Sequence, residues 1–281
     1  MLLCNEDVMQ YFVSIENTTY FYWQIELLIE SFKMCGLEDK LVIGIAENNQ
    51  PKFVAYSKNI VRHPHQFLHI NQGEKHNYLP LNKPYAIVAA LESGKLKSPF
   101  AVIHPDMVLR KPLEEPDVNI TFQNDPNVAL MDKIKPQLQE MAEAGKFDIK
   151  LLPSNIPLGA TMIFKDVKKE FFSRVAARMG WYSTKYPEAD WNLAKAAWLT
   201  TIYENLGTLK AKGMSLECRL IDNEFPANLI HYRYGLPPAF SKKYYKGAIR
   251  LDADPHEMLM AHNPTSATDF IQKVVQSYRA K

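Results

Sequence analysis

The sequence predicts an α/β fold, a mixed sheet flanked by helices and closed into one domain, and three observations carry that expectation. A helix-patterned stretch over 21–35 runs directly into a short apolar strand, Leu41-Val42-Ile43-Gly44-Ile45-Ala46. The same pairing recurs with a helical stretch from Asn82 to Leu91 and the strand Phe100-Ala101-Val102-Ile103. The composition of the 281 residues, 47% hydrophobic, 23% charged and 11% aromatic, is that of an ordinary globular chain. It sets aside disordered, collagen-like and disulfide-stapled classes.

Each element has its own warrant. In the first helix Ile25, Leu28, Ile29 and Phe32 fall at helical spacing, Glu26, Glu30 and Lys33 occupy the other face, and Gly36 supplies the stop. The strand at 41–46 shows no polar alternation, the pattern of a strand covered on both faces. Asn82-Lys83-Pro84 is expected to cap and open the second helix, along which Tyr85, Val88 and Leu91 recur until Gly94. The strand Phe100–Ile103 then runs into His104-Pro105-Asp106-Met107. In open α/β sheets the carboxyl ends of strands are where ligands bind.

The second half predicts a strand over 158–164, entered through Pro157-Leu158-Gly159, helices over 166–179 and 189–205, and a short strand Leu229-Ile230-His231-Tyr232. A last helix over about 267–279 takes Thr265 or Ser266 as its cap and sets Phe270, Val274 and Tyr278 on one face. The 11 glycines and 18 prolines are scattered, so no linker is expected. A nucleotide-binding half, about 1–115, and an acceptor-side half with the C-terminal helix, about 116–281, are expected to complete one cleft.

Charge and cysteines exclude several classes. The 33 Lys+Arg nearly balance 31 Asp+Glu, and no basic stripe marks a nucleic-acid partner. Three cysteines, Cys4, Cys35 and Cys218, are odd in number and lack CxxC spacing, which fits reduced thiols in the cytoplasm. Glu6 and Asp7 stand where a signal peptide needs a basic start, and no apolar run approaches the roughly 18 residues of a membrane span. The expectation is a cytoplasmic protein with no membrane span.

His104-Pro105-Asp106 is the sharpest local feature. Either the two side chains reach one divalent cation, Mn²⁺ or Mg²⁺, or Asp106 caps a turn and His104 is a solvated strand-end residue. His63, His65 and His69 form H-x-H-x-x-x-H, but Pro64 interrupts the run and no cysteine or carboxylate accompanies it, so a surface loop is expected. His231 lies inside an apolar strand and reads as a core histidine or as a ligand, and His262 as a loop-end residue. Glu188 and Asp190 open a helix, where they either complement its dipole or contact a sugar or acceptor hydroxyl. Trp181, Trp191 and Trp198 form either a stacking wall nearby or core.

Taken in order, several segments resemble one family. Tyr20-Phe21-Tyr22-Trp23-Gln24 is similar to a Y-F-x-W-Q segment, Asn82-Lys83-Pro84-Tyr85-Ala86 to N-[KR]-P-[WY]-A, and His104-Pro105-Asp106-Met107 stands in the place of an E/D-P-D motif, followed by Pro112-Leu113. Pro157-Leu158-Gly159 matches a P-I-G turn, Pro187-Glu188-Ala189-Asp190 a P-E-A-D helix entry, and Ile230-His231-Tyr232-Arg233-Tyr234-Gly235 an I-H-Y-x-Y-G strand. The chain from about residue 17 to 252 thus resembles glycosyltransferases related to hydroxyproline O-arabinosyltransferases and peptidyl-serine α-galactosyltransferases.

That resemblance implies a GT-A-like, Rossmann-type fold, a UDP-sugar donor, retention at the anomeric carbon and a divalent cation at the acidic motif. It implies donor contacts from Gln24, Asn82, Lys83, His104, Asp106 and Gly159, a cation held by Asp106, His104 and His231, and catalytic roles for Asp106, Glu188 and Asp190. The acceptor is a hydroxyl on a protein, peptide or glycan. The chain departs from the family at His104, where a neutral nitrogen replaces an acidic oxygen. A non-catalytic module that binds nucleotide sugars or glycans on the same fold is the alternative. A nucleotidyltransferase ranks last, because no Gly-rich, basic phosphate loop appears near the N-terminus.

Overall fold

The helix-strand reading passes over one interior strand of the main sheet. β1 (Gln10–Glu16) precedes α1 (Thr19–Met34), β2 (Leu41–Glu47), β3 (Ile60–Pro64), a short hairpin of β4 (Leu68–Ile70) with β5 (Glu74–His76), and α2 (Leu79–Glu92). Next come β6 (Phe100–Ile103), β7 (Met107–Leu109), β8 (Ile120–Asn124), β9 (Leu158–Phe164), α3 (Lys169–Lys185) and α4 (Trp191–Glu204). β10 (Ala211–Met214), β11 (Glu217–Arg219), β12 (Leu229–His231) and α5 (Ser266–Arg279) complete the order. The computed structural model describes residues 9–17, 19–47, 59–70, 74–76, 78–124, 139–140, 143, 158–185, 191–219, 228–231 and 266–280.

Among these, a seven-stranded sheet runs in the order β10-β8-β9-β6-β1-β2-β3. β3, β2, β1 and β6 are mutually parallel, β9 is antiparallel to both β6 and β8, and β10 is parallel to β8. One mixed sheet therefore joins residues from both predicted halves.

Alternation along β1 divides the core into two layers, because successive side chains leave a strand on opposite faces. Tyr11, Val13 and Ile15 pack with Ile25, Leu28, Ile29 and Phe32 of α1 and with Leu41, Ile43 and Ile45 of β2. Phe12 faces the other way, into Val42, Ala86 and Ile87 and on to Phe164, Phe172 and Trp198. Helices on both faces explain why β2 and β6 read as unbroken apolar runs: all four β6 residues and the first six of β2 are buried. At Gly44 the layers approach so closely that a Cβ would lie 2.7 Å from Phe12 Cζ and 2.9 Å from Ala86 Cβ.

Three expectations change. α2 starts at Leu79 with Tyr78 at its N-cap and a proline in the first turn, so Asn82 is an interior residue and not a cap. The Asn-Pro pair reads as a helix start because Pro84 lacks an N–H, yet here Pro80 already occupies the tolerant first turn and Pro84 forgoes one bond inside the helix. α3 continues to Lys185, six residues past the predicted end at 179, with Tyr182 fully buried. Trp198 belongs to the core while Trp181 is exposed, so the two form no common wall. Among the described residues no helix is long and apolar enough to cross a membrane.

Candidate functional site

The chain leaves β1 for β2 and β3 on one side and returns through α2 to β6 on the other. The carboxyl ends of β1 and β6 therefore flank the topological switch point, where an open α/β sheet leaves a crevice for a ligand. Both strands run out in polar residues: Glu16 and Asn17 at the end of β1, His104 and Asp106 just past β6.

A second, three-stranded sheet supplies the third group. β7 continues from the β6 turn and pairs antiparallel with β12, which sets His231 directly opposite Met107. Two side chains hold this segment: Leu109 N donates to Ser31 Oγ of α1 at 2.9 Å, and Leu113 N donates to Tyr11 Oη at 2.7 Å. Burial pushes the Tyr11 phenol up to about 12, so it stays protonated there. Met107 Sδ accepts from His104 N at 3.4 Å, closing the turn between the strand end and Asp106.

His231 Nε2 then lies 3.2 Å from Asp106 Oδ1, and His104 Nδ1 lies 3.8 Å from the same oxygen. The imidazoles meet edge to face, with centroids 5.7 Å apart. One donor atom from each of the three residues falls within 4.8 Å of the others. His231 is buried, whereas the His104 side chain keeps 21% exposure and opens the cluster to solvent. Donors this close suit a shared ion, since metal-to-ligand bonds of about 2 Å place neighbouring ligands roughly 3–4 Å apart. A carboxylate with two imidazoles is a set that divalent transition ions accept.

α2 links this cluster to a second one. Lys83 Nζ is 2.8 Å from His104 Nε2. Its neighbour Asn82, 1% exposed, donates to Glu16 Oε1 at 3.0 Å and accepts from Gln66 N at 2.8 Å. His65 Nδ1 lies 3.5 Å from Glu16 Oε1. Burial lifts the Glu16 carboxyl to about 7, against the partial pull of the Asn82 hydrogen bond.

The expected surface loop at the histidine run is thus corrected. His63 belongs to β3 and is 6% exposed, and His65 packs against Glu16 and Asn82. Burial pushes the His63 imidazole down from its ordinary value. β3 adds a parallel strand to β2, and that pairing draws the run inward.

No family model matches the chain, and no curated protein matches it in sequence. Solved structures do. The galactosyltransferase LgtC, in complex with donor and acceptor sugar analogues, aligns over 96% of each chain with a TM-score of 0.51 and 8% identity. The fold is GT-A-like. The glycosyltransferase GlyE of Streptococcus pneumoniae aligns with a TM-score of 0.50 and 7% identity over 97% of this chain. This chain spans 63% of the GlyE structure. Neither is described as an arabinosyltransferase or a peptidyl-serine galactosyltransferase.

On the GT-A-like fold the sequence-predicted residues divide into three groups. His104, Asp106, His231 and Lys83 come together, and Asn82 stands one residue away on α2 but turns toward Glu16. Gln24 is buried on the second turn of α1, Gly159 is the second residue of β9, and neither is one of the three clustered donors. Glu188, Asp190 and His262 lie outside the described residues. Sequence reasoning misses Glu16 and the role of His65. An apolar run closing on a polar pair, Tyr11-Phe12-Val13-Ser14-Ile15 before Glu16-Asn17, is the signal that finds the first, and it repeats the pattern of β6.

Proposed function

We propose that this protein is a glycosyltransferase that moves a sugar from a UDP-sugar donor to a hydroxyl acceptor, with a divalent cation held by Asp106, His104 and His231. The observation that carries the reading is the convergence of those three side chains at the switch-point crevice of a GT-A-like fold. The motif resemblance points the same way. It also supports retention at the anomeric carbon, and it assigns Glu188 and Asp190 to the acceptor or sugar face and Gln24 and Gly159 to the donor.

A bound cation supplies positive charge to the departing diphosphate. The chain's own residues do the rest. Asp106 offers the single anionic group of the cluster, with His231 Nε2 3.2 Å and His104 Nδ1 3.8 Å from its Oδ1. Lys83, projecting from α2 beside His104, adds a cation to the same crevice and favours a diphosphate there. The Glu16–Asn82 pair fixes the start of α2 and with it the position of Lys83. Two imidazoles among three donors favour Mn²⁺ or Co²⁺ over Mg²⁺, whose small ion holds oxygen ligands and water.

The test is turnover of a panel of UDP-sugars, as hydrolysis or transfer, with and without Mn²⁺, for the parent and Asp106→Ala. A metal-dependent reaction that falls by about 100-fold or more in the variant supports the proposal, since charge stabilisation at the leaving group is worth several kcal/mol. UDP binding with no turnover of any sugar would instead leave the non-catalytic module, and equal turnover by parent and variant would remove Asp106 from the mechanism.

A further inference from the structure

We propose that Lys83 and a bound cation compete for His104, so that the lysine passes from the imidazole to the donor's diphosphate as the cation binds. The proposal deepens the reading above and rests on the cluster being a cation site.

The contact that carries it is the 2.8 Å approach of Lys83 Nζ to His104 Nε2. An ammonium group has three donors and no acceptor, so Nε2 must supply the lone pair, and a neutral imidazole with a bare Nε2 carries its proton on Nδ1. Nδ1 is the nitrogen that faces Asp106 Oδ1, at 3.8 Å. A protonated nitrogen has no lone pair to give a metal. If His104 is to ligate through Nδ1, its proton must sit on Nε2, and an N–H there faces the lysine donor to donor. If His104 ligates through Nε2, Lys83 already occupies that lone pair. By either nitrogen, His104 becomes a ligand only when Lys83 leaves it.

Electrostatics act in the same direction. An ammonium beside the cluster repels a dication until an anion stands between them, and a diphosphate is such an anion. The four-carbon stem of a lysine lets the head group move while α2 stays in place. Lys83 therefore weakens cation binding to the empty site and strengthens diphosphate binding to the loaded one. Coupling of this kind is reciprocal: the cation and the nucleoside diphosphate each raise the other's affinity, and part of that cooperativity belongs to Lys83. Position 104 makes this possible, since an acid there would have no ring proton to relocate. Lys83 is a positioning residue in this account for the cation and a direct contact for the diphosphate.

The experiment measures Mn²⁺ binding without nucleotide, by the electron paramagnetic resonance of free Mn²⁺, and UDP binding at saturating Mn²⁺ by calorimetry, for the parent and Lys83→Met. The expected result has opposite signs: the variant binds Mn²⁺ several-fold more tightly and UDP several-fold more weakly. A purely structural role would lower both affinities or neither. Unchanged or weakened Mn²⁺ binding in a folded Lys83→Met protein overturns the proposal and leaves the cation site standing. A parent that binds no Mn²⁺ even with UDP present overturns both. Should Lys83→Met fail to fold, Lys83→Gln makes the same comparison, with the same signs expected.

Discussion

Two imidazoles approach one oxygen of Asp106, His231 at 3.2 Å and His104 at 3.8 Å, and under the proposed function those nitrogens set which cation the cluster prefers. Replacing His104 with an acid adds a hard oxygen and a negative charge. In His104→Asp the preference for Mn²⁺ over Mg²⁺ is expected to narrow about tenfold or more, read as the ratio of dissociation constants in parallel titrations. An unchanged ratio would remove His104 from the ligand set. Glu16 makes a second prediction. Its carboxyl titrates near 7 in the folded chain against an ordinary 4.5, because burial disfavours the charge. A carboxyl more basic in the folded state stabilises fully below about 4.5, and that contribution disappears as pH rises through about 7. In Glu16→Gln the contribution is absent, so between pH 5 and 7.5 the parent's urea midpoint is expected to fall relative to the variant's, by on the order of 1–2 kcal/mol of stability. His63, whose imidazole burial depresses, acts with the opposite sign, favouring the fold as pH rises, and His65 faces Glu16. Both histidines are present in the two proteins, so the contribution of His63 cancels and the difference reports Glu16 together with its coupling to His65.

Elements position these residues by close approach. β2 meets β1 and α2 at Gly44, where the methyl group of an alanine would sit under 3 Å from both Phe12 and Ala86. Gly44→Ala is expected to destabilise by about 1–3 kcal/mol in denaturant unfolding, because a ring tip and a backbone-anchored methyl must both shift. The strand-helix pairs are legible because their apolar periodicity is local: β6 matches its predicted bounds and β9 spans 158–164 as expected. β1 escapes that reading because Gln10, Ser14 and Glu16 interrupt its apolar residues and no amphipathic helix precedes it to frame it. The start of α2 is misplaced for another reason. Asn82 resembles a cap in sequence, and only the proximity of Glu16 and Gln66 gives its side chain different partners.

Across the whole molecule the last helix returns to the first. α5 buries Ile271, Val274 and Val275, Ser277 Oγ donates to Glu30 Oε1 at 2.6 Å, and Tyr278 Oη donates to Glu26 Oε2 at 2.8 Å, contacts that join residues 247 and 252 positions apart. α1 also carries Ser31, which anchors β7 beside the cluster, so the C-terminal helix braces the element that holds the site. Ser277→Ala is expected to cost about 1–2 kcal/mol in thermal or urea unfolding, the loss of a hydrogen bond to a buried carboxyl group. No comparable loss would show that the chain end contributes little there. By itself the sequence determined the layered α/β plan and the polar turn at the end of β6, because both are written in neighbouring residues. The family resemblance already set His231 beside Asp106, and strand pairing brings them to 3.2 Å. The tertiary structure alone decided that Lys83 meets His104 and that Glu16 is buried beside His65. Those meetings depend on strand register and on packing across the sheet, which bring together residues too far apart in the chain for any local pattern to pair them.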